Sequence, residues 1–463
     1  MTDLAIDTAL LSRFAVEGPR YTSYPTAVDF TLAFDAVAYA DRLADADRAR
    51  ASQPLALYVH LPFCRALCDF CGCHALVART PERIARYLAA MEQEIELVAA
   101  HLPHRRSVAE LHLGGGSPSV LTPADTQRLF AAIGRRFELL PAAAISVEVD
   151  PRTVDRAKLE MYRQCGVRRV SMGFQDLDPG VQEAIGRHQS SATSVAAFTE
   201  ARRAGFDAIN IDLCYGLPRQ TEATFDQTLR QVIALGPNRI AIFGYAHVPW
   251  LKPLQRRIDE KELPDGELRV RLLSLCRQRL AAAGYRTIGM DHFARPDDPL
   301  TLALDQRRLH RNFQGYTETA TSDLVGLGLS SIGDVAGAFA QNQRSLHAYY
   351  DDIAAGRLPT ERGVRRTAED ELRAHVIRRI MCDFGLDEDE VSRRFGIDFT
   401  ATFAGEIAEL ERLAADGLVE RVPGRLTLSP TGRVFVRNVA SVFDSRRRAR
   451  DKSPTRQRLS MTV

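Results

Sequence analysis

The sequence predicts a parallel α/β fold, a partial TIM barrel of the (β/α)6 type, with an N-terminal extension and a mainly helical, winged-helix-like C-terminal domain. Three observations lead there. Apolar strand-like segments alternate with helix-like ones from about residue 55 onward, and repeated βα units form a parallel sheet with right-handed crossovers. The strand-like segments end repeatedly on polar residues, at the end where barrel enzymes carry their chemistry. From about residue 366 the alternation gives way to consecutive helices.

In chain order, residues 1–45 form an extension outside the barrel. Their dense patch, Pro19-Arg20-Tyr21-Thr22-Ser23-Tyr24-Pro25-Thr26, is extended and turn-prone. Leu55 to His60 is the first strand, followed by a helix over 81–101. Ala109 to Leu113 is the second, with a helix over 123–137. Ile145 to Val149 is the third, with a helix over 153–165. Arg168 to Phe174, Ala208 to Leu213 and Arg239 to Phe243 continue the series, with helices over 192–204, 221–235 and 265–283. Two more strand-like stretches lie near 286–291 and 324–328. The barrel domain thus spans 46–365. Helices over 368–384, 387–395 and 399–417 and a hairpin over 421–428 make up a C-terminal domain at 366–443, and 444–463 is a basic tail expected to be disordered.

The net charge of +2 is unevenly spread. The tail carries +5 and the other 443 residues −3, so the body is no general polyanion binder. The segment from Phe384 to Ile397 sets four acidic residues against Arg393 and Arg394, whereas a DNA-reading helix needs net positive charge. No nucleic-acid partner is expected. No run of 18 apolar residues occurs, and the acidic N-terminus lacks the basic start and apolar stretch of a secretory signal. Membrane insertion is therefore not expected. A cytoplasmic protein, and a monomer, are.

Four of the eight cysteines fall within ten residues, in Cys64-Arg65-Ala66-Leu67-Cys68-Asp69-Phe70-Cys71-Gly72-Cys73, directly after the first strand. Dense clustering in a cytosolic chain points to metal or redox chemistry rather than disulfides. Cys64, Cys68 and Cys71 could ligate three irons of a [4Fe–4S] cube, leaving the fourth open to an amine and carboxylate chelator. Three other readings stand beside this one: a Cys68/Cys71 thiol redox pair, a structural zinc site with Cys64 and His74, and inert core cysteines. Cys73, one residue beyond Cys71, is read as nearby but non-ligating. Gly114-Gly115-Gly116-Ser117, after the second strand, lets backbone approach a ligand closely.

The Cys64-x3-Cys68-x2-Cys71 spacing resembles the signature of the radical S-adenosylmethionine (SAM) superfamily. Further segments narrow the resemblance. They are Pro19 to Thr26, Tyr58 to Phe63, Glu148-Val149-Asp150-Pro151, Ser171 to Asp176, Asn210 to Leu213, Tyr215-Gly216-Leu217-Pro218, Gly289 to Ala294 and His310 to Tyr316. Together they resemble the oxygen-independent coproporphyrinogen III oxidase family over essentially the whole chain. The resemblance implies decarboxylation of two propionates of coproporphyrinogen III to vinyl groups, giving protoporphyrinogen IX in haem biosynthesis, by way of a 5′-deoxyadenosyl radical. It implies a [4Fe–4S] cluster on Cys64, Cys68 and Cys71 and two SAM molecules. Tyr58, Gly115, Glu148 and Ile332 would contact the SAM on the cluster. Phe70, Gly116, Ser117, Gln175, Arg187, Asp212 and Ala246 would contact the second. An external electron donor and acceptor are also implied. Arg20 and Arg311 suit the substrate carboxylates, and Asp291 and His292 are candidates to line the same pocket. Gly244 stands where a larger polar residue is expected, in the loop that carries Ala246. The nearest alternative is a haem-binding chaperone of the same superfamily. Such relatives generally lack the Cys71-Gly72-Cys73 step and the Pro19–Thr26 patch, both present here.

Overall fold

The computed structural model describes residues 8–318, 323–447, 450 and 459–462. Seven parallel strands form its centre: β1 Leu55–Leu61, β2 Ser107–Gly115, β3 Glu138–Val149, β4 Arg169–Gln175, β5 Ala208–Tyr215, β6 Arg239–Gly244 and β7 Leu324–Leu327. They lie side by side in the order β7-β1-β2-β3-β4-β5-β6. The helices between them sit where the periodicity predicts, at Pro81–Ala100, Pro123–Arg136, Arg156–Gln164, Ser191–Arg203, Glu222–Leu235 and Gly266–Ala282.

Local chemistry sets these boundaries. Thr122 opens its helix with a reciprocal cap, its hydroxyl accepting from Asp125 N–H (3.1 Å) while the Asp125 carboxylate accepts from Thr122 N–H (3.2 Å). Gly236, at φ 65°, closes the helix Glu222–Leu235 in the left-handed conformation that glycine adopts without a Cβ penalty. Each of the helices Pro81–Ala100, Pro123–Arg136 and Arg156–Gln164 touches the next, so the crossovers cover one face of the sheet. The apolar core between helices and sheet includes Leu57, Val59, Leu111, Leu113, Val147, Met172, Phe174, Ile211 and Leu213.

The sheet is open. Beyond β7 it continues antiparallel through Ile332–Val335, Ala338–Asn342 and Thr360–Arg365; beyond β6 it continues through His292–Ala294 and Arg286–Ile288. The stretch expected as one strand near 286–291 is therefore the start of a hairpin. Gly289, at φ 55°, turns the chain, and a Cβ there would overlap the Tyr316 ring at 2.0 Å. Asp291 and His292 consequently sit at a bend and on an antiparallel strand held between β6 and Arg286–Ile288, not at the end of a parallel one.

The N-terminal extension divides between two cores. Leu11, Phe14, Tyr21 and Tyr24 pack with the C-terminal helices, whereas Tyr39, Leu43 and Ala46 of the helix Ala36–Arg50 join the barrel core. In the C-terminal region the helix expected over 399–417 breaks into Phe399–Thr402 and Ala404–Ala415. At the break Phe403 buries its ring against Phe399 and Phe443, with centroids 4.8 and 5.2 Å away. The hairpin Val419–Val422/Arg425–Leu428 gains a third strand, Gly385–Asp387.

The described part of the basic tail is bound, contrary to the expectation of disorder. Its arginines meet carboxylates: Arg446 pairs with Asp370 (2.9 Å), Arg447 with Glu409 (2.7 Å) and Arg450 with Asp29 (2.9 Å) and Asp444. Met461 bridges to Glu17, and Arg437 donates to both Met461 O (2.8 Å) and Pro19 O (2.9 Å). Residues 448–449, 451–458 and 463 lie outside the described residues.

Candidate active site

A cavity of about 960 Å³ occupies the open barrel. Strand alternation builds its wall. Along β4, Val170, Met172 and Phe174 are buried against the helices, while Arg169, Ser171, Gly173 and Gln175 face the other way and line the cavity. Glu110 and His112 on β2, Ser146 and Glu148 on β3, and Asn210 and Asp212 on β5 do the same. One side of the sheet is therefore an oil-like core and the other a polar chamber.

The cysteine loop caps the chamber at the end of β1. A short parallel pair, Phe63–Cys64 with Leu76–Val77, closes its base. Asp69 N–H donates to Ile185 O (2.9 Å), Gln255 Nε2 to Phe70 O (2.9 Å) and Lys252 Nζ to Cys73 O (3.2 Å), so two other segments, at Ile185 and at 252–255, hold the loop in place. All eight cysteines are free thiols. Cys64, Cys68 and Cys71 all border the chamber. Two guanidinium groups approach the Cys68 sulfur, Arg187 Nη1 at 3.4 Å and Arg152 Nη2 at 3.8 Å. Among the described residues no three His, Cys, Asp or Glu side chains lie close enough to share a single metal ion. In an iron–sulfur cube each thiolate binds its own iron, and three thiols bordering one cavity beside two guanidinium groups fit that donor set. The adjacent arginines offset the negative charge that thiolate ligation brings. Cys73 is exposed, and its backbone N–H donates to Cys71 Sγ at 3.4 Å.

The glycine run earns its composition by proximity. A Cβ on Gly116 would lie 2.7 Å from Phe63 O and 2.8 Å from Phe63 N, both backbone atoms of the cysteine loop. Gly116 N–H donates to Leu61 O and Ser117 N–H to Phe63 O, each at 2.8 Å, which stitches the run to that loop. Gly115, at φ 111°, donates to Glu148 Oε2 (3.2 Å), whose other oxygen meets His112 Nε2 (3.2 Å). Burial opposes the Glu148 charge, yet His112 and the Gly115 N–H hold its carboxyl below the usual carboxylate range. Asp212 goes the other way: burial, with Glu148 nearby, pushes it up to about 6, against hydrogen bonds from Ser171 (2.9 Å) and Asn210 (2.7 Å). Arg187 is fixed by Gly173 O (2.7 Å) and Gln189 (3.1 Å). Gly244 has a steric reason, since a Cβ there would meet the Tyr215 hydroxyl at 2.9 Å.

Of the residues singled out in the sequence, Cys64, Cys68, Cys71, Phe70, Gly115, Gly116, Ser117, Glu148, Gln175, Arg187, Asp212, Ala246, His292 and Arg20 share this one chamber. Tyr58 and Ile332 do not line it. Tyr58 stacks on His112 (14° between planes) and meets His60 Nδ1 at 3.0 Å; Ile332 pairs with Gln341 in the antiparallel flank beyond β7. Asp291 and Arg311 border smaller side cavities of about 50 and 140 Å³. Asp291 accepts from His292 Nδ1 (2.7 Å) and faces Arg311 Nη2 (3.6 Å). Burial would raise its carboxyl, but Arg311 and His292 hold it at about 2. Sequence reasoning missed Arg152, which doubly engages Asp150 (2.6–3.1 Å), and the far end of the chamber. There Arg239 pairs with Asp298 (2.7 Å) and Glu318 (3.0 Å). The missed signal is the alternation itself: Glu110/His112 and Arg169/Ser171 repeat polar residues at every second position between buried ones.

Comparison with known proteins agrees with this geometry. Residues 58–232 match the Radical SAM superfamily and residues 367–435 the HemN C-terminal domain. The oxygen-independent coproporphyrinogen III oxidase of Synechocystis sp. is 40% identical over 440 residues, 94% of each chain. That of Escherichia coli K12 is 40% identical over 95% of each. A solved structure described as coproporphyrinogen III oxidase (HemN) from Escherichia coli, a radical SAM enzyme, superposes with a TM-score of 0.89 at 39% identity. It covers 96% of this chain and 100% of that one.

Proposed function

The chain belongs to the oxygen-independent coproporphyrinogen III oxidase family of the radical SAM superfamily, and we propose that it converts two propionates of coproporphyrinogen III to vinyl groups, giving protoporphyrinogen IX. The observation that carries this reading is the single polar chamber, bordered at once by the three thiols, the glycine run, the Glu148 and Asp212 carboxylates and Arg20. When bound, a [4Fe–4S] cluster together with SAM supplies one-electron chemistry and a 5′-deoxyadenosyl radical as hydrogen-atom acceptor.

The chain's own residues do the positioning. Cys64, Cys68 and Cys71 would hold the cluster. Glu148 and Gly115, with Tyr58 and Ile332 behind, would orient the SAM on it. Phe70, Gly116, Ser117, Gln175, Arg187, Asp212 and Ala246 would receive the second SAM. Asp212, close to its protonation point, can donate to or accept from a ribose hydroxyl. Arg20, Arg311, Asp291 and His292 would receive the substrate's carboxylates and pyrrole N–H groups. Each turnover takes a hydrogen atom from a propionate β-carbon. Loss of CO₂ then leaves the vinyl group and one electron, which an external acceptor removes; an external donor supplies the electron that starts the cycle. The reading also places the enzyme in the cytoplasm as a monomer. Among the described residues no helix is long and apolar enough to cross a membrane.

The test is anaerobic reconstitution with iron and sulfide, then assay with coproporphyrinogen III, SAM and a reductant. Vinyl product with methionine and 5′-deoxyadenosine is expected. Stable haem binding and transfer with no vinyl product would replace this reading with that of a haem chaperone.

A further inference from the structure

Beside the main chamber, and sharing Asn312 and Thr317 with its wall, lies the side cavity of about 140 Å³. It is roofed by the N-terminal patch, Tyr21 to Tyr24, and walled on one side by the C-terminal helix Ala368–Asp383, which contributes Arg378. Its charges are unequal. Arg366 is neutralised by Asp334 (2.7 Å) and Glu371 (2.6 Å). Arg311 and Arg378 are not comparably matched. Arg311 is 5% exposed and shares Asp291 with His292 at the long distance of 3.6 Å; its Nε and Nη1 are buried with no hydrogen-bond partner among the described residues. Arg378 touches the His375 ring through Nη2 at 3.5 Å, and its Nε is likewise buried and unpartnered.

Buried guanidinium N–H groups left without acceptors are costly, and native structures rarely leave them so. Three such donors on two arginines around one cavity ask for an anion with several acceptor oxygens. The surroundings agree: His310, also on the wall, is held neutral down to about 3 by burial and by Arg378 and Arg379. The volume has room for a short carboxylate arm and not for a tetrapyrrole ring.

We propose that this side cavity is a carboxylate subsite, in which Arg311 and Arg378 hold a non-reacting propionate of the substrate while the ring occupies the main chamber. The inference rests on the coproporphyrinogen reading and deepens it. The C-terminal helix becomes part of the substrate site, and Arg378 becomes a specificity-determining residue. Substrate carboxylate, N-terminal patch and C-terminal helix then meet at one point, so binding also ties the patch to the helix across the side cavity.

The test titrates the reconstituted enzyme, wild type and Arg378→Met, with two stable oxidised probes: coproporphyrin III, and its analogue carrying ethyl groups in place of the two non-reacting propionates. Arg378→Met should weaken coproporphyrin III about tenfold or more, the loss expected of one charge-assisted hydrogen bond. It should leave the ethyl analogue unchanged, and Arg378→Lys should recover part of the loss. SAM cleavage without substrate should stay at the wild-type rate, which a collapsed fold would not allow. Equal losses for both probes, or none for either, overturn the subsite while leaving the substrate reading intact. Failure of the wild type to bind coproporphyrin III overturns the substrate reading itself.

Discussion

Replacing Cys64, Cys68 or Cys71 by serine, one at a time, removes vinyl product formation to below detection and strips the cluster's visible absorption from the reconstituted protein. A serine hydroxyl does not ionise near neutrality and is a poor ligand for iron, so each change leaves one iron of the cube unheld. All three thiols border the same chamber, and none has a disulfide partner to fall back on. Cys73→Ser makes the contrast. Cys73 borders the chamber too, but it is exposed and reaches Cys71 Sγ through its backbone N–H, which serine keeps. That variant retains the absorption of the assembled cube. Loss of the cube in Cys73→Ser, with Cys71→Ser still assembled, would reassign the third ligand.

The largest effect on stability falls at the opposite end of the barrel. Asp323 precedes β7, and its side chain is 1% exposed. Both of its carboxylate oxygens accept from Arg50 (3.0 Å), one accepts from Ala336 N–H (2.7 Å), and the other meets Arg105, whose side chain is 0% exposed. Arg105 also donates to Gln53 O (2.8 Å), just before β1, and Ala56 N–H donates to Asp323 O (3.0 Å). One ion pair thus fastens the starts of two adjacent strands. Asp323→Ala leaves the Arg105 charge buried and uncompensated, at a cost of about 3–5 kcal/mol. The readout is the urea midpoint of the variant against wild type. The pH dependence carries a sign. Burial would raise the Asp323 carboxyl, but Arg105, Ala336 N–H and Arg50 hold it below the usual carboxylate range. Its stabilisation is complete above the unfolded pKa of about 3.9 and is lost as pH falls through the lower folded value. The gap between wild type and variant therefore narrows only in strong acid. A gap that closed already between neutrality and mild acid would contradict the assignment.

Much of this was legible from periodicity. The parallel strands β1 to β6 and the helices between them follow directly from alternating apolar patterns and caps such as Thr122–Asp125. The cysteine loop and glycine run were legible because their spacing has few other uses. What stayed hidden depends on distant contacts. No local rule says that the ring of Tyr316 blocks a Cβ at Gly289 and so folds Asp291 onto an edge hairpin. The bound tail is similar: a run of arginines reads as solvated until Asp29, Asp370, Glu409 and Asp444 are brought beside it by the fold. Tyr58 points to the same face as its chamber-lining neighbour His112 and stacks on it without itself lining the cavity, while Ile332 sits on an antiparallel flank that the (β/α) pattern did not foresee.

The most direct test of the central claim is metal and sulfide analysis of the anaerobically reconstituted protein, read together with the paramagnetic resonance of its reduced form before and after SAM is added. Three thiol ligands and one open iron predict about four irons and four sulfides per chain. They also predict a resonance that changes when SAM binds. Stoichiometric zinc in place of iron, or a full cube whose resonance ignores SAM, would contradict it.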